Sequence, residues 1–326
     1  MSTMHRAKSI AAAFIASLAL AACGGSDGNG NDTGNAGGSS GSNPPSTGVP
    51  GNDTAAPTLT NNIATDGMNW INYRRTQIGL GALARNSRID IAAQGHSDYQ
   101  RVNNVVTHDQ TRGKPGFTGV LLQDRLAAAN YRIEGTNAIG EVISATNNNS
   151  GFFMAEELIT AIYHRFVIFE PVFKEIGTGA ASTSGGYNYF TADMAANNGF
   201  ATGLAAGTIA TWPFNGQVQV PRNFLSDYEE PDPVPDINEV GYPVSVHTNL
   251  TRKLTVRTFT IRQRGASGDL RTRLLVQGQD ANTTTQSAAA IVPLAPLAAN
   301  ATYDVTFVGA IDGTSVSRTW SFTTAR

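Results

Sequence analysis

Apolar residues between about residues 66 and 195 recur with two different periods. Spacings of three and four predict four helices, the first after Asp66 and the others over 87–104, 120–130 and 152–169. Apolar runs bounded by turn residues predict three strands over 138–144, 175–181 and 187–195. Helices that alternate with strands in this order pack on both sides of a small sheet. The pattern therefore predicts a mixed α+β domain.

The segment 152–169 has the clearest helical pattern, because its apolar residues share one arc and Pro171 closes the helix. His164 lies opposite that arc. Glu157 precedes His164 by seven residues, which corresponds to about 10 Å along a helix axis. We expect one continuous helix here, with Glu157 too far from His164 to share a binding site.

The pattern changes beyond residue 200. Segment 201–240 contains several prolines, which disfavour helix, and it predicts an extended connector crossed by few contacts. Over 241–326, alternating apolar residues separated by glycine turns predict about seven short strands, which suit a β-sandwich with Tyr303 and Trp320 in its core. We expect residues 241–326 to fold on their own.

The beginning of the chain has the pattern of an export signal. Two basic residues precede an apolar run over 10–22, which is too short to span a bilayer as a helix. The run ends in Leu-Ala-Ala followed by Cys23, and this ending resembles the bacterial lipoprotein signal. That resemblance implies removal of residues 1–22, lipidation of Cys23 and, because Gly24 follows instead of an aspartate, the outer membrane. The alternative is an ordinary signal peptide with an incidental cysteine.

The segment after Cys23 predicts a tether. Up to residue 58 it is rich in Gly, Ser and Asn and contains no Lys, Arg or aromatic residue. Such a stretch cannot bury enough apolar surface to offset the entropy of ordering. We therefore expect a flexible connection between the lipid and the folded part.

Charge and cysteine content narrow the functional classes. The 23 Lys and Arg residues nearly balance the 25 Asp and Glu residues, which excludes the basic surface of a nucleic-acid-binding protein. A single cysteine excludes an intramolecular disulfide and a thiolate metal cluster, since each needs at least two sulfurs.

Several ordered blocks between residues 66 and 195 resemble one family. The blocks consist of Asn72, Arg75, Gly79, Leu80, Leu83, Ala92, Ala93, His96, Ser97, His108, Gly140, Glu141, Tyr163, His164, Arg165, Pro171, Ile176, Gly177 and Gly179. They resemble the CAP superfamily of cysteine-rich secretory, antigen 5 and pathogenesis-related proteins, especially its bacterial SCP-like members. The resemblance implies a secreted α-β-α sandwich with a cleft that holds histidine and glutamate. The end of the chain resembles bacterial Ig-like domains.

Carried over residue by residue, the resemblance implies a cleft formed by His108, Glu141 and His164. Val142 stands where the family has an asparagine, and the second cleft glutamate has no counterpart near Ala161. Two imidazoles and one carboxylate are suitable ligands for Zn²⁺ or another divalent cation. The alternative interpretations are a loop histidine bonded to backbone at His108 and a solvated surface histidine at His164.

Two further residues have a structural interpretation. Glu141 lies in an apolar strand, where an unpaired charge is costly, so we expect it to be paired. His96 lies on the apolar face of its helix, and we expect a core histidine whose nitrogens are hydrogen-bonded.

Together these observations predict five segments: a signal peptide (1–22), a lipidated tether (23–58), a CAP domain (59–200), a connector (201–240) and an Ig-like β-sandwich (241–326). We expect an exported protein, anchored to the membrane by lipid, that binds a lipid, glycan or protein of the cell envelope and no nucleic acid. The alternative is a metal-dependent hydrolase acting on envelope material. The sequence shows no second cleft carboxylate to act as its base, and it leaves open whether the protein is an enzyme.

Overall fold

The computed structural model describes residues 56–326 and the backbone of residues 23–25. The helices of this part are α1 (Ile63–Gln77), α2 (Ser87–Asn103), α3 (Leu122–Ala128), α4 (Gly151–Thr160) and α5 (Ile162–Ile168). Its strands are β1 (Cys23–Gly25), β2 (Ala84–Arg85), β3 (Ala138–Thr146), β4 (Glu175–Ser182), β5 (Asn188–Ala196), β6 (Ala210–Trp212), β7 (Asn223–Leu225), β8 (Glu239–Gly241), β9 (Val244–His247), β10 (Leu254–Gln263), β11 (Thr272–Val276), β12 (Ala288–Pro293), β13 (Thr302–Ile311) and β14 (Thr314–Thr323). The predicted signal peptide and most of the predicted tether lie outside the described residues.

The first part of the fold is a five-stranded sheet with the order β1-β3-β5-β4-β2. The three central strands are antiparallel, and the short edge strands β1 and β2 run parallel to their neighbours. On one face, Ile139 of β3 packs with Ile89 of α2 and Leu126 of α3. On the other face, Val142 packs in an apolar cluster that includes residues of α1 and α4. The mixed α+β domain predicted from the sequence is confirmed.

Two glycines of β4 allow α2 to approach the sheet closely. A Cβ atom at Gly177 would overlap the backbone at Asp90, and one at Gly179 would overlap the backbone at Gln94. Because both side chains are missing, α2 lies directly on the strand. This contact places the polar side chains of α2 against the centre of the sheet.

The continuous helix predicted over 152–169 is wrong at Ala161. Ala161 has an extended backbone with ψ of 123°, and it separates α4 from α5. The first amides of α5 at Ile162 and Tyr163 donate to the carboxylate of Glu229 at 2.7 and 2.6 Å. A residue distant in sequence therefore caps a helix start that the local apolar pattern does not reveal.

The second part of the fold consists of antiparallel strands. One sheet has the order β10-β13-β14, a second has the order β11-β12-β9-β6, and β7 pairs with β8. The longest hairpin joins β13 to β14 through Asp312 and Gly313, both with positive φ. Tyr303 and Trp320 are buried, as the sequence predicted.

The predicted connector 201–240 contributes to this second part. Its strand β6 pairs with β9, and Trp212 is completely buried with its indole N–H donating to the Tyr242 hydroxyl at 2.8 Å. The expectation of an extended segment with few contacts is wrong, because Trp212, Val220 and Phe224 bury apolar side chains there. The segment boundaries themselves remain a prediction.

Side chains near α5 join the two parts. Arg165 donates to the carbonyl of Pro243 at 2.7 Å. The carboxylate of Glu170 accepts hydrogen bonds from the Leu250 amide at 2.9 Å and the Ser287 hydroxyl at 3.2 Å. One apolar cluster extends from α1 to β14, so the described parts pack on each other. No helix in the described residues has both the length and the apolar character needed to cross a bilayer.

Candidate functional site

His108 and Glu141 form the centre of a buried polar cluster. His108 follows α2 and Glu141 lies in β3, and the Nδ1 atom of His108 donates to Oε1 of Glu141 at 2.7 Å. Glu141 is 4% exposed, whereas the side chain of His108 retains 15%. The structure therefore brings together two of the three predicted cleft residues.

Arg125 of α3 binds the other oxygen of Glu141. Its Nη2 atom donates to Oε2 at 2.5 Å, and its Nη1 atom donates to the carbonyl of His108 at 2.7 Å. The sequence interpretation missed Arg125. Its signal was an arginine on the apolar face of a helix, three residues after Leu122 and one before Leu126.

The position of Arg125 determines the charge of Glu141. Burial alone would raise the pKa of Glu141, but the charge of Arg125 and the hydrogen bond from His108 outweigh it and hold that pKa well below its usual range. Glu141 is therefore a carboxylate at any physiological pH.

Asp193 is a second carboxyl group in the same cluster, and the sequence interpretation missed it too. It lies opposite Glu141 in the register of β3 and β5 and is 1% exposed. Burial raises the pKa of Asp193 well above its usual value, and the negative charge of Glu141 raises it further. Neither oxygen of Asp193 has a hydrogen-bond partner within the described residues. Its only sequence signal is an acidic residue within the apolar run of a strand.

His96 completes the cluster as a neutral residue. Its Nε2 atom donates to the carbonyl of Thr107 at 2.7 Å, and its Nδ1 atom accepts from the Gln110 amide at 3.0 Å. Burial lowers its pKa to about 4. The interpretation of His96 as a hydrogen-bonded core histidine is confirmed.

His164 lies away from this cluster, on the other side of the sheet. Successive strand residues point to opposite faces, and the residue next to Glu141, Gly140, faces Val167 of α5. His164 is buried in α5, and its Nδ1 atom lies 3.2 Å from Oε1 of Glu229. The expected trio with Glu141 is therefore not assembled, and the alternative of a solvated surface histidine is also wrong.

This arrangement does not fit a divalent cation held by the three predicted residues. Both oxygens of Glu141 are engaged, one of them by a guanidinium whose charge would repel a metal ion. The sheet separates the third predicted ligand from the other two. Within the part of the chain that the structure describes, no group of three or more His, Cys, Asp or Glu side chains is placed to hold a metal ion.

A second feature is an open groove where α2 begins, beside β4 and the end of β5. Its volume is about 790 Å³, within the range of small-molecule sites. We call it the polar groove, and its lining includes Asn86, Arg88, Arg132, Glu134, Lys174 and Asn198.

Hydrogen bonds between its own residues hold the polar groove in place. In its floor, Glu175 accepts from the Tyr131 hydroxyl at 2.7 Å and from the Asn86 amide at 2.6 Å. In its wall, Asn197 donates to the carbonyl of Arg132 at 2.7 Å and accepts at its own carbonyl from Lys174 at 2.5 Å. The groove is thus formed before any ligand enters it.

The comparisons with known proteins bear on the first part of the fold. Residues 68–194 match the model of the cysteine-rich secretory protein family, CAP. None of the curated proteins is a match for this sequence.

Solved structures of bacterial proteins show a partial similarity. An extracellular protein containing a SCP domain from Bacillus anthracis is 22% identical, with 42% of this chain and 44% of that chain covered and a TM-score of 0.35. An outer surface protein from Borrelia burgdorferi is 12% identical, with 40% and 90% covered and a TM-score of 0.35. A cysteine-rich secretory protein from Staphylococcus aureus is 17% identical, with 43% and 40% covered and a TM-score of 0.30. The chain thus spans less than half the length of the Bacillus and Staphylococcus proteins. The family match, together with the mixed α/β fold, supports a CAP domain of the cysteine-rich secretory protein family over residues 68–194.

Proposed function

We propose that this protein is an exported binding protein of the cell envelope, whose CAP domain takes its ligand in the polar groove. The observation that supports binding is the groove itself, which is open, polar and fixed by internal hydrogen bonds. Preorganised sites of this kind lose little entropy when a ligand binds.

The export part of the proposal comes from the sequence. Residues 1–22 act as a lipoprotein signal, Cys23 is lipidated, and the folded part is held at the outer membrane. Two acyl signals give stable membrane attachment. Cys23→Ser should therefore release the protein from the membrane fraction or leave it unprocessed. Equal fractionation of variant and parent would contradict the anchor.

We also propose that residues 241–326 form an Ig-like sandwich that, with β6, supports the CAP domain (59–200). The antiparallel order of the two larger sheets and the buried Tyr303 and Trp320 support this role. This part supplies a rigid mount, because it packs on α5 through Arg165 and Glu170.

A hydrolase is the alternative function. The observation in its favour is the hydrogen-bonded pair of His108 and Glu141, since an imidazole oriented by a carboxylate can move protons. Metal dependence is disfavoured because both oxygens of Glu141 are already engaged by other side chains. Calorimetric titration with Zn²⁺ separates the two functions: we expect no saturable heat, and a saturable heat lost in both His108→Ala and Glu141→Ala would favour the hydrolase.

Binding is tested by retention of the purified protein on isolated envelope polymers. Ser87→Trp places a bulky side chain in the polar groove, and Ser315→Trp makes the same change on an exposed part of β14. We expect Ser87→Trp to lose retention and Ser315→Trp to keep it. No retention of the parent protein, or equal retention of both variants, would overturn the proposed site.

A further inference from the structure

Three cations surround the polar groove. Arg88 is the second residue of α2, Arg132 follows Tyr131, and Lys174 precedes β4. Within the described residues none of the three forms an ion pair with a carboxylate, although the chain as a whole has a net charge of −2. A local cluster of unpaired positive charge in an acidic protein is a place where an anion is attracted.

The cations retain donors for a ligand. Arg88 uses Nη1 on the carbonyl of Asn130 at 2.6 Å, which leaves most of its five N–H donors directed elsewhere. Arg132 is exposed, and its guanidinium makes no hydrogen bond within the described part of the chain. Lys174 has three donors and uses one on Asn197.

The carboxylates of the polar groove differ in their availability. Glu175 is engaged by Tyr131 and Asn86, so it serves as part of the floor. Glu134 is exposed at the rim, where it can accept hydrogen bonds from hydroxyl groups. The rim therefore carries two exposed cations, Arg88 and Arg132, and one exposed acid, Glu134.

The other residues that line the polar groove expose polar groups to it and not aromatic rings. Asn86 and Asn198 present side-chain amides, and the ring of Tyr131 is buried under the floor. Amides can both donate to and accept from hydroxyls. This lining disfavours a lipid tail or an apolar peptide and suits a hydroxyl-rich chain.

We infer that the polar groove binds an acidic oligosaccharide, with sugar carboxylates on Arg88, Arg132 and Lys174 and sugar hydroxyls on Glu134 and the asparagine amides. The inference rests on the proposed function and names the class of its ligand. Attraction between exposed charges is screened by salt, so binding should weaken as ionic strength rises.

The test uses the full-length protein in detergent and isothermal calorimetry. The probe is an oligogalacturonide, and the control is an uncharged galacto-oligosaccharide of the same length. We expect saturable binding of the acidic probe, and affinity for the neutral one lower by about tenfold or more, since three charge contacts are lost. Equal affinity for both sugars would overturn the acidic class.

Variants that change one charge of the polar groove test in which direction each charge shifts the affinity for the acidic probe. Arg132→Gln removes a cation that makes no described hydrogen bond, and it should weaken binding of the acidic probe about threefold. Glu134→Gln keeps an oxygen that accepts hydrogen bonds from sugar hydroxyls, and it removes a negative charge that repels the acidic probe. It should therefore strengthen binding by a similar factor. Arg257→Gln, at an exposed cation on β10, is the control for net charge and should leave affinity unchanged. Equal effects of Arg132→Gln and Arg257→Gln would contradict the site.

The outcomes separate this inference from the proposed function. Retention on envelope polymers without any binding of the oligogalacturonide would overturn the acidic ligand and leave the binding protein standing. Loss of both the retention on envelope polymers and the binding of the oligogalacturonide would overturn the proposed function and this inference together. Binding of the acidic probe that is unaffected by Ser87→Trp would place the sugar outside the polar groove and overturn the inference.

Discussion

Arg125→Met tests whether the buried pair of Arg125 and Glu141 stabilises the first part of the fold. The side chain of Arg125 has no exposure and that of Glu141 has 4%. Methionine keeps much of the length and removes the charge, so Glu141 would be left as a buried carboxylate facing Asp193. Its remaining hydrogen bond would come from His108.

The magnitude follows from the geometry. At the 2.5 Å separation between Nη2 and Oε2, two unit charges attract by about 7 kcal/mol at an effective dielectric constant of 20. Desolvation of both groups offsets part of that attraction, and removal of one partner of a buried pair costs about 3 to 5 kcal/mol. The carbonyl of His108 also loses a donor. For a fold of this size the loss corresponds to a melting temperature lower by about 6 to 20 °C.

Thermal and urea unfolding of the purified variants provide the assay. The matched control is Arg101→Met, which removes an exposed arginine of α2 paired with Asp98 at 3.4 Å and should change the free energy of unfolding by less than about 1 kcal/mol. The double variant Arg125→Met with Glu141→Gln should recover part of the loss, because no unpaired charge remains. If Arg125→Met unfolds like Arg101→Met, the reasoning about a buried charge network is refuted.

Three further predictions concern other parts of the fold. Asp193→Asn should stabilise the protein at pH 7 and have no stabilising effect below about pH 4, because the raised pKa of Asp193 makes the parent lose stability as pH rises above the usual value of 3.8. If the free energies of unfolding of the two proteins, measured across this pH range, show no gap that widens with pH, the buried protonated state of Asp193 is contradicted. Glu229→Ala should cost about 2 kcal/mol or more, since the amides of Ile162 and Tyr163 lose a buried acceptor, while the exposed neighbour in Glu230→Ala should cost little; similar urea midpoints for the two variants would argue against the cap. The fragment 241–326 should fail to give a cooperative melt by circular dichroism because it lacks β6 and the packing on α5, and a melt matching that of the intact protein would restore the idea of an independent domain.

The local pattern of the sequence determined the elements of the first part of the fold. Periods of three and four in α2, and apolar runs in β3 and β5, depend on neighbours within a few residues, so they are visible in a single chain. The same holds for His96, whose place on an apolar helix face already indicated a core residue. Glu141 was recognisable as a paired residue because a strand buried on both faces cannot hold a free charge.

The tertiary structure decided which residues meet. Glu141 pairs with Arg125 and Asp193 because α3 and β5 pack against β3, and these contacts join residues that no local pattern connects. His164 is separated from Glu141 because adjacent strand residues point to opposite faces, and the family resemblance in the sequence does not report on which side of the sheet α5 lies. The break at Ala161 depends on the carboxylate of Glu229, 67 residues away from Ile162. Long-range contacts of this kind carry no periodic signal, so only the folded chain reveals them.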